Sequence, residues 1–217
     1  MVGQRVLALQ LKRHARGVFD EVRHGWKTFP DLLKSDLQNL LDNERRILGL
    51  FDKLKERKLG ANVIRTHSDY HMGQVLYTGR DFVILDFEGE PARNFKDRRR
   101  KQCPLRDVAG VLRSIHYAVT CTVFHQDKEI QSQMREKWIN EVSGEFLKGY
   151  FQAARKSGLI GYEAGDLLPG DFDSVRLLID IFVLEKALYE LKYEINNRPD
   201  WVGIPLSGLL QIFENHQ

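Results

Sequence analysis

An acid in a His-flanked turn, an amide five residues later and a second acid closing an apolar run can together do chemistry. In this 217-residue chain they are Asp69, Gln74 and Asp86, within THSDYHMGQVLYTGRDFVILDFEGEP from Thr66 to Pro91. A carboxylate held in a rigid turn orients a hydroxyl and takes up its proton as an oxygen–phosphorus bond forms. Gln74 and Asp86 offer side-chain oxygens, which suit Mg2+. A hard octahedral ion held by two side chains completes its shell with phosphate oxygens and water, so the pair points to ATP rather than to a protein-only metal cage. Each residue alone has a plainer explanation: a turn Asp bonding its own backbone, or a carboxylate capping a strand end. The joint spacing favours phosphoryl transfer.

Other groups are more ambiguous. His67, Asp69 and His71 form an H-x-D-x-H pattern that suits zinc in a hydrolase. Such a site needs further ligands, and His14, His24, His116, His125 and His216 are scattered. His67 instead reads as packing beneath the loop and bonding its backbone. Asp107 opens a helix. It can accept backbone N–H groups of the 67–69 turn, or act as an ordinary first-turn acid favoured by the helix dipole. Arg98, Arg99, Arg100 and Lys101 form a basic cluster without interleaved aromatics, which reads as a solvated face rather than a nucleic-acid groove. Tyr189 and Tyr193 share a helical face beside Glu190, with Arg198 and Trp201 beyond; such a group can bind a sugar or simply pack.

The elements that must position these residues are mostly helical. A basic amphipathic segment covers about 4–22, with Arg5, Lys12, Arg13, Arg16 and Arg23 on a solvated face. From Asp31, the three-and-four spacing of Leu33, Leu37, Leu40, Leu41, Ile47, Leu48, Phe51 and Leu54 predicts one long helix stopping near Gly60. Short strands are expected at 63–65 and 81–86. Thr78-Gly79-Arg80 turns 75–77 back onto the second, and Val83-Ile84-Leu85 form a buried strand ahead of Asp86. Helices follow at about 105–122, 128–157 and 171–196. The last is capped by Asp171 or Asp173 and stopped by Pro199, and a short helix covers 206–213.

Bulk composition sets bounds. A 42% hydrophobic, 29% charged chain is an ordinary globular protein, and a net charge of +3 from 33 basic and 30 acidic residues forces no nucleic-acid or membrane partner. Two cysteines, Cys103 and Cys121, cannot build a disulfide framework, and no apolar run approaches ~18 residues, so a cytoplasmic location is expected.

The order Asp69, Gln74, Asp86 resembles the catalytic parts of protein-kinase-type phosphotransferases, with Gln where Asn is usual and D-F-E in place of D-F-G. Two longer blocks, RTHSDYHMGQVLYTGRDFVILDFEGEPARNFKDRRRKQCPLRDVAGVLRSIHYA and LEKALYELKYEINNRPDWVGIPLSGLL, resemble the maltokinases, most closely the maltokinase module fused behind trehalose synthase. The resemblance covers nearly the whole chain. It implies a mainly α fold: the helical C-terminal lobe of a protein-kinase-like, aminoglycoside-phosphotransferase-like enzyme, with a small β hairpin at the catalytic loop. The implied activity is transfer of the ATP γ-phosphate to the anomeric hydroxyl of maltose, giving maltose 1-phosphate, with ATP and Mg2+ as cofactors.

By motif match Asp69 is the implied base and Gln74 and Asp86 the implied metal ligands, with His67 and Asp107 supporting the loop. His71, Glu88, Tyr189, Tyr193, Arg198 and Trp201 are the candidate sugar-binding positions. Ser68 stands where relatives carry Gly in H-G-D, a change costing little unless the turn needs positive φ. The Gly-rich loop and strand lysine of an N-terminal ATP lobe do not occur in the 217 residues. The chain therefore reads as a lobe of a longer polypeptide, with a trehalose synthase domain as a further expected partner and natural truncation as the alternative. Alone, it is expected to show little or no kinase activity. A sugar-binding or interaction module derived from such a lobe is the competing function.

Overall fold

The computed structural model describes residues 2–56, 58–91, 94–123, 128–158, 160–161 and 167–214. The chain divides into two compact units, one of Met1–Leu59 with Leu184–Gln217, the other of Gly60–Val183.

In the first unit, helix α1 (Val2–His24) buries Ala8, Leu11, Ala15, Val18, Phe19 and Val22, a three-and-four stripe. Lys12 on its flank is no bystander, since it bonds Asp52 at 2.6 Å. The single helix expected from Asp31 is two: α2 (Asp31–Asp42) and α3 (Glu44–Asp52). The break falls at Asn43 (φ −89°, ψ 3°), whose side-chain amide donates to the Asn39 carbonyl at 2.9 Å. A side chain competing for a helix carbonyl is a common reason for such an interruption. The apolar stripe nonetheless continues through Leu37, Leu40, Ile47 and Phe51, all fully buried. After α3 a 3-10 turn, Lys53–Lys55, ends the run before Gly60, which lies in the left-handed region at φ +68°.

Helix α8 (Gly203–Glu214) starts earlier than expected because Pro205 sits in its first turn, where a missing N–H is harmless. It packs against α2 with Ile204, Leu206, Leu209 and Phe213 buried. Helix α7 (Phe172–Asn197) contributes its later turns here, burying Leu184, Leu188 and Leu191. Pro199 opens the 3-10 turn Pro199–Trp201 that follows it.

In the second unit, β1 (Val75–Tyr77) and β2 (Phe82–Ile84) pair antiparallel, Val75 opposite Ile84 and Tyr77 opposite Phe82. Gly79 turns the chain at φ +90°. The segment 63–65 is not a strand; Ile64 forms only an isolated bridge with Gln102. A short helix α4 (Phe95–Arg98) is capped by Asn94, whose side chain accepts from the Asp97 N–H at 3.0 Å. Helices α5 (Leu105–Val123) and α6 (Lys128–Lys156) pack together. Two-residue strands β3 (Ile160–Gly161) and β4 (Leu168–Pro169) make a parallel pair that the pattern did not foretell. At the start of α7, Asp171 rather than Asp173 caps, accepting the Ser174 N–H at 2.7 Å.

The buried strand expected ahead of Asp86 is a correction. Val83, Ile84 and Leu85 are 44%, 40% and 42% exposed, and Phe82 is 66% exposed. A two-stranded ribbon has two faces, and nothing among the described residues covers either fully. The molecule is thus mainly α, with its small antiparallel hairpin next to the Asp69 turn.

Candidate phosphoryl-transfer site

The turn bearing Asp69 is held from below. Asp107, in the first turn of α5, accepts the N–H of His67 at Oδ2 (2.7 Å) and that of Ser68 at Oδ1 (2.9 Å). Of its two readings, loop anchor and dipole-favoured acid, the geometry realises the first. Burial pushes the Asp107 carboxyl above the usual carboxylate range, while the two N–H donors pull it back. Tyr70 is pushed up as well, by burial and then by the Asp107 charge.

His67 lies beneath the loop, 6% exposed, with Nε2 2.7 Å from the Leu85 carbonyl oxygen. Its ring also meets those of Tyr70 and Phe87, with centroids 5.4 and 5.0 Å away. It therefore ties the Asp69 turn to the end of the hairpin that leads into Asp86. Its Nδ1 is buried without a hydrogen-bond partner. Ser68 adopts φ +70°, so the turn does require the left-handed region, and a side chain there is strained. Its hydroxyl lies 2.8 Å from Thr66 Oγ1 and 3.2 Å from Gln102 Nε2.

Gln74 and Asp86 meet directly, Nε2 donating to Oδ2 at 3.0 Å. Backbone bonds hold both, from the Gln74 N–H to the His71 carbonyl and from the Leu85 N–H to the Gln74 carbonyl, each 2.9 Å. Asp86 also takes positive φ, +58°. With its amide nitrogen occupied, Gln74 retains Oε1, and Asp86 retains Oδ1. An oxygen-only donor pair fits Mg2+ in its preferred chemistry. It does not fit zinc: among the described residues no three of His, Cys, Asp or Glu are grouped to hold a metal ion. His71 Nδ1 accepts the Gly73 N–H at 3.1 Å, and its Nε2 stands 3.9 Å from Asp69 Oδ2. Glu88 is exposed two residues past Asp86.

The remaining candidates lie in the first unit. Arg198 makes a two-pronged bond to Glu194, Nε to Oε2 at 2.9 Å and Nη2 to Oε1 at 2.8 Å, and Glu194 is 2% exposed. The guanidinium also lies over Tyr193 and Trp201, 5.3 and 4.9 Å from the ring centres. Arg198 thus braces the end of α7, leaving the outer faces of Tyr193 and Trp201 exposed. Tyr189 is half-buried under Lys186, beside His14.

Two further residues of the second unit, Gly110 and Ser114, touch the loop and were not anticipated. Neither stands out by type or spacing; their contacts with the loop become visible only in the fold.

No family model matches the chain. Its fold is shared with solved glucosamine kinase structures. One crystal form superposes with a TM-score of 0.80 at 20% identity, covering 99% of this chain and 46% of the other. A glucosamine kinase in complex with glucosamine, ADP and inorganic phosphate gives 0.79 at 20% identity, covering 98% and 48%. In sequence, the glucosamine kinase of Streptacidiphilus jiangxiensis is 28% identical over 146 residues, 67% of this chain and 31% of its own length. That of Mycolicibacterium smegmatis is 38% identical over 61 residues, 28% of this chain and 15% of the relative. Each match covers less than half the length of the other protein. Its architecture is that of a mainly α, kinase-like lobe similar to part of glucosamine kinase.

Proposed function

We propose that this chain is the catalytic, acceptor-side lobe of an ATP-dependent sugar kinase. The observation that carries the reading is one bonded network around Asp69. Asp107 holds His67 and Ser68, His67 reaches Leu85, and Gln74 joins Asp86. In this reading Asp69 orients the acceptor hydroxyl and takes its proton as the new O–P bond forms. Gln74 Oε1 and the Asp86 carboxylate hold Mg2+, which when bound with ATP offsets the charge of the phosphates. His71 and Glu88, near Asp69 in the second unit, are proposed to contact the sugar; Tyr189, Tyr193, Arg198 and Trp201 are proposed separately as a sugar-binding group of the first unit. The relatives' names support a sugar acceptor, and the bound ADP in one solved neighbour supports a nucleotide donor.

Two acceptors fit this class. Maltose follows from the two sequence blocks described above, and glucosamine from the names of the relatives. A nucleotide-binding lobe outside these 217 residues belongs to the proposal, and so does a trehalose synthase domain on the same polypeptide if maltose is the acceptor. The exposed Leu76, Tyr77, Phe82 and Phe87 around the hairpin support a covering lobe. No helix among the described residues is long and apolar enough to cross a membrane.

The test is a coupled assay of the chain joined to its nucleotide-binding lobe, with ATP, Mg2+ and either maltose or glucosamine, the product located by phosphorus NMR. Transfer to the anomeric oxygen of maltose selects the first acceptor, and transfer to glucosamine the second. Failure to phosphorylate any sugar overturns the kinase reading. Calorimetric sugar binding without a response to Mg·ATP would then favour the binding module.

A further inference from the structure

Three residues of α5 lie at positions i, i+3 and i+7, and all three meet the backbone of the Asp69 loop. Asp107 takes the N–H groups of His67 and Ser68. Gly110, buried, faces the next contact: a methyl group built there would overlap the Tyr70 carbonyl oxygen. Ser114 Oγ accepts the Met72 N–H at 3.0 Å and donates in turn to the Val111 carbonyl, also at 3.0 Å. The hydroxyl is therefore used in both directions, its proton fixed on the helix and its lone pair on the loop. The spacing places the three on one face of the helix. They touch the loop at 67–68, 70 and 72, which brackets Asp69 and His71 on both sides.

We propose that Gly110 and Ser114 are positioning residues for Asp69. With Asp107 they make α5 a three-point template that fixes the loop's height and register. Gly110 sets the distance, because any side chain would drive the Tyr70 carbonyl, and the adjoining Asp69, off the helix. Ser114 sets the register on the far side, where a lost acceptor would leave the Met72 N–H to solvent. This rests on the reading of Asp69 as the group that handles the acceptor hydroxyl. A displacement of such a group by about 1 Å costs on the order of a hundredfold in rate.

The test uses Ser114→Ala, Ser114→Thr and Gly110→Ala in the full polypeptide that carries this chain. Ser114→Ala is expected to lower kcat by about tenfold with KM for Mg·ATP unchanged, and Ser114→Thr, which keeps the hydroxyl, to restore it. Gly110→Ala is expected to cost about a hundredfold. Hydrogen exchange at 67–72 is expected to speed up in Ser114→Ala. A lowered melting temperature with wild-type kcat and unchanged exchange would mark a merely structural role and overturn the inference. If the parent protein phosphorylates no sugar, the functional reading fails by itself. The exchange measurement still decides the template: faster exchange at 67–72 supports it, and unchanged exchange removes it.

Discussion

Gln74 donates to Asp86 at 3.0 Å, so the two proposed metal ligands are in contact across twelve residues of hairpin. The Gln side chain is long enough to span the distance to the Asp86 carboxylate. Asn at this position would be one methylene short of the carboxylate.

The first prediction follows from that contact. If the full polypeptide that carries this chain has the proposed kinase activity, Gln74→Leu and Asp86→Asn should each raise the Mg2+ concentration for half-maximal turnover tenfold or more, about 1.4 kcal/mol in ligand affinity. A Mg2+ titration of the initial rate checks this. Unchanged Mg2+ dependence in Gln74→Leu would remove Gln74 from the donor set.

Ser68 gives the second. An L-residue in the left-handed region costs roughly 1–2 kcal/mol, against about 0.5–1 kcal/mol of extra backbone entropy for Gly. Ser68→Gly should therefore leave stability equal or raise it by up to about 1 kcal/mol, despite the loss of the contact with Thr66. Ser68→Val, β-branched at φ +70°, should lose about 2 kcal/mol or more. Denaturant midpoints separate the two. A destabilised Gly variant would mean that the hydroxyl contacts outweigh the strain.

What the sequence made legible, and what it hid, divides along the range of the forces. Helices α5, α6 and α7 were readable because three-and-four spacing is local, and the hairpin because Thr78-Gly79-Arg80 marks its own turn. The break at Asn43 was hidden, since the apolar stripe runs through it and the i→i−4 bonds from Asn43 to Asn39 and from Ile47 to Asn43 persist across it. The exposure of Val83 and Ile84 was hidden as well, because an apolar strand reads as buried wherever its cover is drawn from. Spacing singled out Asp69, Gln74 and Asp86, and the fold brings Gln74 and Asp86 into contact. Gly110 and Ser114 were not singled out, for a small residue on a helix gives no periodic signal and acquires meaning only against the Tyr70 carbonyl and the Met72 N–H.

Asp107 supplies the third prediction. Replacing it with Ala removes two charge-assisted bonds and strands the N–H of buried His67, so stability should fall by about 2–4 kcal/mol. Asp107→Asn retains one acceptor oxygen and should recover part of the loss. Urea unfolding of the two variants measures the difference. Equal stability of wild type and Asp107→Ala would show that the loop holds its shape without the anchor.

The fourth concerns alkaline pH. Burial raises the Cys103 thiol from its ordinary 9.0 to about 11, opposed by a backbone hydrogen bond and the Arg106 charge. Tyr150 moves the same way, pushed to about 12 by burial and then by Cys103 and Asp107. Between pH 9 and 11 the unfolded chain releases the Cys103 proton while the folded chain keeps it. The folded state then binds more protons, and stability must fall as pH rises. The contribution is intact below pH 9 and is lost as pH rises through the folded value. For a thiol 8% exposed, that rise corresponds to about 3 kcal/mol. Cys103→Ala should flatten this part of the curve, although it leaves a small cavity and lowers the plateau. Stability measured at pH 7, 9, 10 and 11 for both proteins isolates the slope. A wild-type decline that persists unchanged in Cys103→Ala would assign the alkaline loss to other groups, Tyr150 first among them.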